Sequence, residues 1–384
     1  MKLFDKIKGW FKREKTVDDY IEELADVKVD YEKAKTKWLK NAANGHIDIK
    51  AFEKNDERFA KRYVEVATEA MQANSDDVSD PSLGAEKVQN IIQKRLGIDT
   101  EEGLNKFSEI RAKYAHMINH NLELKYKDMV PVLSSKELET PVKASRAMLD
   151  KYGGMCVADE HAATDATKLI RGVLKDCKKH GEKPILLLEC PKDFPIERWS
   201  EKDFQMVHSW AQLYHITVDD AKASLKERRL MLEEAKAMGA DIVKFDKQDA
   251  SQASDLGDLR TRLATTNLTW PEVIKGHLKE IDPDGTRPKI LYSGCDHLIK
   301  DRGITAGNDR GFVDEAMGWP TIGFVDMAGH KPKLGNQYVD AYDVMIPTQS
   351  ENIKMIENRF AKINETAAVS PTDIKNAQQS PREK

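Results

Sequence analysis

Five short apolar runs from residue 155 onward each end in an acid or a histidine. Met155-Cys-Val-Ala158 leads to Asp159-Glu160-His161, Ile185-Leu-Leu-Leu188 to Glu189, and Ile242-Val-Lys-Phe245 to Asp246. Ile290-Leu-Tyr292 is followed, across Ser-Gly-Cys, by Asp296-His297, and Ile322-Gly-Phe-Val325 by Asp326. Runs this short, alternating with amphipathic stretches of helical period, predict an α/β domain on a largely parallel, doubly wound sheet flanked by helices. The crevice beyond the C-terminal ends of such strands is where ligands bind. Carboxylates and imidazoles repeated at that one edge point to a reactive or metal-binding site.

The stretches between the runs carry the helical period. Ala166, Leu169, Ile170, Val173, Leu174 and Cys177 share one face and stop at Gly181. Ser200 with Asp203 opens a helix bearing Phe204, Val207, Trp210 and Leu213, and a long charged helix over 218–239 ends at Gly239. Thr269-Trp-Pro-Glu272 reads as a capping box with proline in the first turn, starting the helix before the fourth strand. The α/β region is expected over 152–350, a last helix over 351–365, and a disordered Ser-, Pro-, Gln- and Lys-rich tail over 366–384.

Residues 15–151 hold no convincing strand and predict an all-α bundle with helices near 17–43, 48–74, 83–96, 101–120 and 135–151. Asn44-Gly45, the Asp-rich turn up to Pro81, Gly97 and Pro131 break them. Thr16 with Asp19 and Ser134 with Glu137 are start signals of the capping-box type. His116 and His120 share a helix face, but one face lacks the ligands a metal needs, so packing or surface roles are expected. Residues 1–14 form a basic amphipathic segment with Phe4, Ile7, Trp10 and Phe11 on one side and lysines around the rest. Such a helix lies in a membrane interface or docks on the bundle behind it; both readings stand.

Composition narrows the classes. A net charge of -4 over 384 residues argues against a nucleic-acid binder, which shows a basic domain or stripe. The four cysteines have no CxxC or zinc-finger spacing and read as buried structural thiols. No apolar stretch approaches the ~20 residues of a membrane span, and no signal-peptide core is evident. Synthesis and folding in a cytosol are therefore expected.

Asp159 and His161 flank Glu160, so on an extended segment both can face one side. A histidine paired with a carboxylate serves as general base or metal ligand. His297 brings a second imidazole to the same edge, and Glu189 a further acid that needs a partner there. The alternative is that each caps a helix or pairs with an arginine. Asp246, Asp326 and His330 are expected behind these groups or against the substrate, and Asp343, just inside the last strand, as an orienter of a histidine. Arg260 and Arg262 can clamp an anion or a carboxylate but read first as a solvated face. The three glycines over 303–311 match no nucleotide motif. Two histidines, His161 and His297, with two carboxylates suit a divalent metal ion. Haem is a further option, with Tyr292 or His297 as its axial ligand.

The segments Val157-Ala-Asp-Glu-His161, Leu186-Leu-Leu-Glu189, Ile290-Leu-Tyr-Ser-Gly-Cys-Asp-His297 and Val339-Asp-Ala-Tyr-Asp343 resemble the erythromycin esterase-like, ChaN-like and TraB/Tiki superfamily. Its motifs are a strand ending in Gly-Glu-x-His, a second ending in Leu-x-Leu-Glu, and a later one ending in Gly-x-x-His. The likeness covers about 153–347 and implies a doubly wound α/β fold. The superfamily includes esterases, metalloproteases, haem binders and toxin domains. The present layout is similar to a toxin branch that contains the Ras/Rap1-specific endopeptidase. By resemblance Asp159 takes the place of the motif glutamate, His161 and His297 the two histidines, and Glu189 the second-strand acid. Asp for Glu at 159 and Ala158 for Gly depart from the pattern, so Glu160 is the alternative to Asp159. The resemblance implies a hydrolase acting on a peptide or ester, in a bacterial cytosol or delivered to a host cell. It equally admits a haem or ligand binder without turnover, or a degenerate interaction module.

Overall fold

The computed structural model describes residues 15–73, 81–126, 136, 140–159, 161, 163–214, 216–246, 259–298, 311–326 and 342–348. The amphipathic segment with Phe4, Ile7, Trp10 and Phe11, the Ser134–Glu137 start signal, the helix over 351–365 and the tail lie outside them. So do Glu160 and His330. The chain divides into two compact units, residues 1–118 with 249–261, and residues 119–248 with 262–384.

The first unit is helical. It contains α1 (Val17–Ala43), α2 (Ile49–Ala73), α3 (Pro81–Leu96) and the part of α4 (Glu101–Tyr126) up to Ile118. α1 begins at the capping box: the Asp19 amide donates to Thr16 Oγ1, and the Thr16 amide donates to the Asp19 carboxylate at 2.7 Å. These reciprocal bonds satisfy amides that the first turn otherwise leaves open. Ala25 and Val29 of α1 pack against Ile92 of α3, and Tyr31 stacks on Phe59 of α2. α4 runs past its expected end near 120, because no helix breaker intervenes before Pro131. Among the described residues no helix is long and apolar enough to cross a membrane.

The second unit is an α/β fold. It carries β1 (Gly154–Asp159), β2 (Ile185–Pro191), β3 (Asp241–Asp246), β4 (Lys289–Gly294), β5 (Thr321–Asp326) and β6 (Val344–Thr348). All pairings are parallel, in the order β3-β2-β4-β1-β5-β6. Helices α5 (Pro141–Tyr152), α6 (Asp165–Lys179), α7 (Phe204–Tyr214), α8 (Val218–Ala237), α9 (Leu259–Ile281) and α10 (Val313–Met317) accompany the strands. Alternation along each strand assigns its residues to two faces. Met155, Val157, Leu186, Leu188, Ile290 and Tyr292 pack with residues of α6, α7 and α8. Cys156, Leu187 and Leu291 pack with Trp270 and Ile274 of α9 and with Val313 of α10. Each such side chain, wholly removed from water, contributes roughly 1.5–3 kcal/mol. Apolar helices on both faces are why these strands read as continuous apolar runs.

Two helix starts differ from the sequence expectation. Asp203, rather than Ser200, caps α7 by accepting the Met206 amide at 3.0 Å. Thr269 caps nothing: α9 begins at Leu259 and continues through Pro271. The Thr269 hydroxyl donates to the Thr265 carbonyl at 2.9 Å, and Thr266 bonds back to Arg262 in the same way. Back-bonding to the preceding turn engages hydroxyls that would otherwise compete with the helix.

The strand order has one consequence for function. From β1 the chain proceeds to β2 on one side, whereas from β4, its neighbour, it proceeds to β5 on the other. Neighbouring strands with divergent connections open a crevice beyond their C-terminal ends. Asp159 ends β1 and Gly294 ends β4, side by side in register.

A candidate active site of two carboxylate–histidine pairs

The first pair is built around Asp159, which is almost wholly buried at the end of β1. Its Oδ2 lies 2.5 Å from His161 Nδ1. The guanidinium of Arg228, buried on α8, donates to the same oxygen. Burial opposes charge on Asp159, but Arg228 and then His161 outweigh it and hold the carboxyl below its usual range. For His161 burial again works against the charge, and Asp159 prevails, so the imidazole's affinity for a proton is raised.

The loop after β1 is held by its own backbone. The His161 carbonyl accepts from Ser224 Oγ at 2.9 Å, Trp210 Nε1 at 3.2 Å and Arg228 Nη2 at 3.3 Å. Arg228 itself sits among the rings of Trp210, Tyr292 and Trp199, at 4.8, 5.2 and 5.4 Å from their centroids. A desolvated guanidinium against ring faces gains cation–π attraction beyond its ion pair. The imidazole lies beside Tyr214 and Trp210. With Nδ1 committed to a carboxylate that can only accept, Nδ1 carries the proton and Nε2 of the neutral ring is free to take one.

The second pair is Glu189 with His297. Glu189 Oε2 accepts from the Gly294 amide at 2.6 Å and from Ser293 Oγ at 2.9 Å. Its Oε1 receives Arg262 Nη2 at 3.2 Å and faces His297 Nε2 at 3.4 Å. Burial opposes ionisation, yet His297, His161 and Arg262 together hold the Glu189 carboxyl far below its ordinary range. His297 is enclosed: its Nδ1 lies 3.1 Å from Thr266 Oγ1, and its ring lies 4.2 Å from that of Trp270. Gly311 passes so close that a Cβ there would fall 1.9 Å from the His297 carbonyl oxygen.

Gly294 lies between the two pairs. A Cβ built on it would stand 3.2 Å from His161 Nε2 and 3.2 Å from Glu189 Oε2. The absence of a side chain therefore leaves room for a substrate atom within reach of both.

The structure thus brings Asp159, His161, Glu189 and His297 together at one edge. Asp246, buried at the end of β3, joins them through Arg262 at 4.0 Å. Asp343 does not. It precedes β6 and accepts the Thr321 amide at 2.8 Å, at the N-terminal edge of the sheet, because a residue that starts a parallel strand lies opposite those that end one. The side chain of Asp326 lies outside the described residues.

Arg262 is a partner of Glu189, the carboxylate-clamping alternative rather than the solvated face that the sequence favoured. Two residues gained roles that the sequence reading did not give them. Thr266 holds His297. Arg228 was legible in principle: Ala221, Ser224, Leu225, Arg228, Met231, Leu232 and Ala235 form the buried stripe of α8, and an arginine in such a stripe needs a buried acid.

A metal centre does not fit the described donors. Both carboxylates are engaged by guanidinium groups, and among the described residues no three His, Cys, Asp or Glu are grouped to hold an ion. Of the described residues expected as axial haem ligands, Tyr292 is buried against Arg228, and His297 is packed on Trp270 and held by Thr266, so neither is placed to ligate one. The cysteines are buried, and burial pushes the thiols of Cys177 and Cys190 up to about 12, which makes them poor nucleophiles.

No protein-family model matches the chain, and no curated protein does. Among solved structures it is similar to the type III effector HopBA1, at 16% identity and TM-score 0.36, over 55% of this chain and 94% of that one. A structure of bacterial protein toxins is similar at 13% identity and TM-score 0.34, over 70% of this chain and 55% of that one. Another, also of bacterial protein toxins, is similar at 14% identity and TM-score 0.33, over 77% and 64%. The chain thus spans less than two thirds of either toxin structure. Likenesses at this level carry no chemistry, which the residues themselves must supply.

Proposed function

We propose that the chain is a hydrolase of peptide or ester bonds in which His161 is the general base. The observation that carries this reading is the 2.5 Å contact of Asp159 with His161 Nδ1 at the strand ends, which leaves Nε2 beside Gly294. Water is the nucleophile, since Ser293 is buried and bonded to Glu189. Nε2 takes the proton of a water whose oxygen attacks the carbonyl carbon. Asp159 stabilises the resulting imidazolium, which returns the proton to the leaving group as its bond breaks. Arg262, partly exposed beside Glu189, offers its charge to the developing oxyanion. Glu189, braced by His297, holds Arg262 in place. The setting we propose is that of a bacterial toxin or effector, following the sequence resemblance and its order of helical and α/β halves. Membrane contact through residues 1–13 belongs to the same proposal.

The test is hydrolysis of an ester panel and a proteome-derived peptide library by the full chain, with His161→Ala alongside. Cleavage lost in the variant supports the reading. Cleavage that survives in it, or none by the wild type on either panel, overturns it.

A further inference from the structure

Two buried polar atoms of opposite character face the same small region behind the first pair. Asp159 Oδ1 has no hydrogen-bond partner, although Oδ2 of the same carboxylate has two. The Tyr292 hydroxyl, on a residue 3% exposed, also lacks one. Val157 and Tyr292 are register partners on β1 and β4 and lie in the same face of the sheet. Asp159 follows Val157 by two residues, so its side chain leaves the sheet on that face too. Arg228 ties them together, bonded to the carboxylate and lying over the Tyr292 ring. A buried donor and a buried acceptor left unmet each bear a full desolvation cost, and native interiors rarely leave such a complementary pair apart.

We propose that the Tyr292 hydroxyl is the third donor on Asp159, reaching Oδ1 directly or through one water, and is a positioning residue for His161. The Asp159 carboxylate then accepts from the imidazole and guanidinium on Oδ2 and from the phenol on Oδ1. It can neither rotate about its own axis nor swing toward Arg228, and His161 stays in one tautomer. The Asp159 carboxylate beside the phenol also opposes the ionisation of Tyr292 that burial already disfavours, so the hydroxyl keeps its proton and remains a donor. This deepens the reading of His161 as a base, but the bond itself does not depend on turnover.

The experiment is Tyr292→Phe in the full chain, which removes one oxygen and keeps the ring. Its first readout is the nuclear magnetic resonance signal of the His161 Nδ1 proton in histidine-labelled protein. The expected result is a downfield shift, since a carboxylate with one donor fewer binds that proton more strongly. The second is a double-mutant cycle with Asp159→Asn on the urea midpoint, where the loss in the double variant should fall short of the summed single losses. An unmoved proton signal with additive midpoints overturns the proposal. If the wild type proves inactive on every substrate, the hydrolase reading fails while both readouts still decide this one. If it is active, kcat of Tyr292→Phe should fall several-fold at unchanged KM.

Discussion

The two carboxylate–histidine pairs share a composition and differ in which member reaches solvent. In the first, the His161 side chain is 31% exposed and Arg228 is 2% exposed. In the second, the His297 side chain is 5% exposed and Arg262 is 39% exposed. The first pair therefore presents a proton acceptor to the crevice and keeps its cation behind. The second presents a cation and keeps its imidazole behind. Each pair joins a carboxylate, an imidazole and a guanidinium, and under the proposed function burial alone divides them into proton transfer on one side of Gly294 and charge stabilisation on the other.

The largest expected effect tests that division. Asp159→Asn removes the charge that orients and supports His161, and turnover should fall about 10²–10⁴-fold, the range for loss of general acid–base catalysis. Thr266→Val, which releases His297 from its brace, should cost roughly tenfold or less, because His297 acts through Glu189. Steady-state kinetics of both variants on one substrate decides it. Equal losses would mean that His297 transfers protons too.

Stability should show the mirror image. Arg228→Leu leaves the buried Asp159 charge without its guanidinium, and breaking a buried pair costs about 3–5 kcal/mol. Arg262→Leu removes a partly exposed partner, so the loss should stay within about 1 kcal/mol. Urea unfolding of the two variants measures both. A small loss at Arg228 would mean that Asp159 is solvated, and the burial argument would fall with it.

Much of this was legible in the sequence because its signals were local and periodic. Each apolar run became a strand, and among the described residues Asp159, His161, Glu189, Asp246 and His297 met at one edge, as parallel strands require. The pairing was not legible, because nothing in the order of residues says that β4 inserts between β2 and β1 and so sets Gly294 beside Asp159. Asp343 was misplaced for a related reason: a residue next to a strand can stand at either edge, and only the strand's limits decide. At Thr269 a sound capping signal was overridden by a continuous helix whose threonines bond back to the preceding turn. Arg228 was obscured by the many charges of α8, although its place in the apolar stripe set it apart.

A smaller effect is expected at the boundary between the pairs. Gly294→Ala puts a methyl 3.2 Å from His161 Nε2 and from Glu189 Oε2. The neighbours can give by a few tenths of an ångström, so stability should change by about 1 kcal/mol or less. Room for a substrate atom is lost, and turnover should fall roughly tenfold, as small displacements in a positioned site do. An unchanged turnover would place the reacting atom elsewhere.

Smallest, and opposite in sign for the two pairs, is the pH dependence of stability. His161 has a folded proton affinity raised above its ordinary 6.5. Relative to His161→Gln, the wild type should therefore hold its full advantage below pH 6.5 and lose it as pH rises through the raised value. Glu189 has a folded value far below its ordinary 4.5. Relative to Glu189→Gln, the wild type's advantage should be complete above pH 4.5 and disappear as pH falls toward that depressed value. Melting temperatures of the three proteins from acid to neutral pH separate these trends. Both advantages vanishing on the same side of neutrality would show that the two pairs titrate as one unit, and the division of labour between them would have to be abandoned.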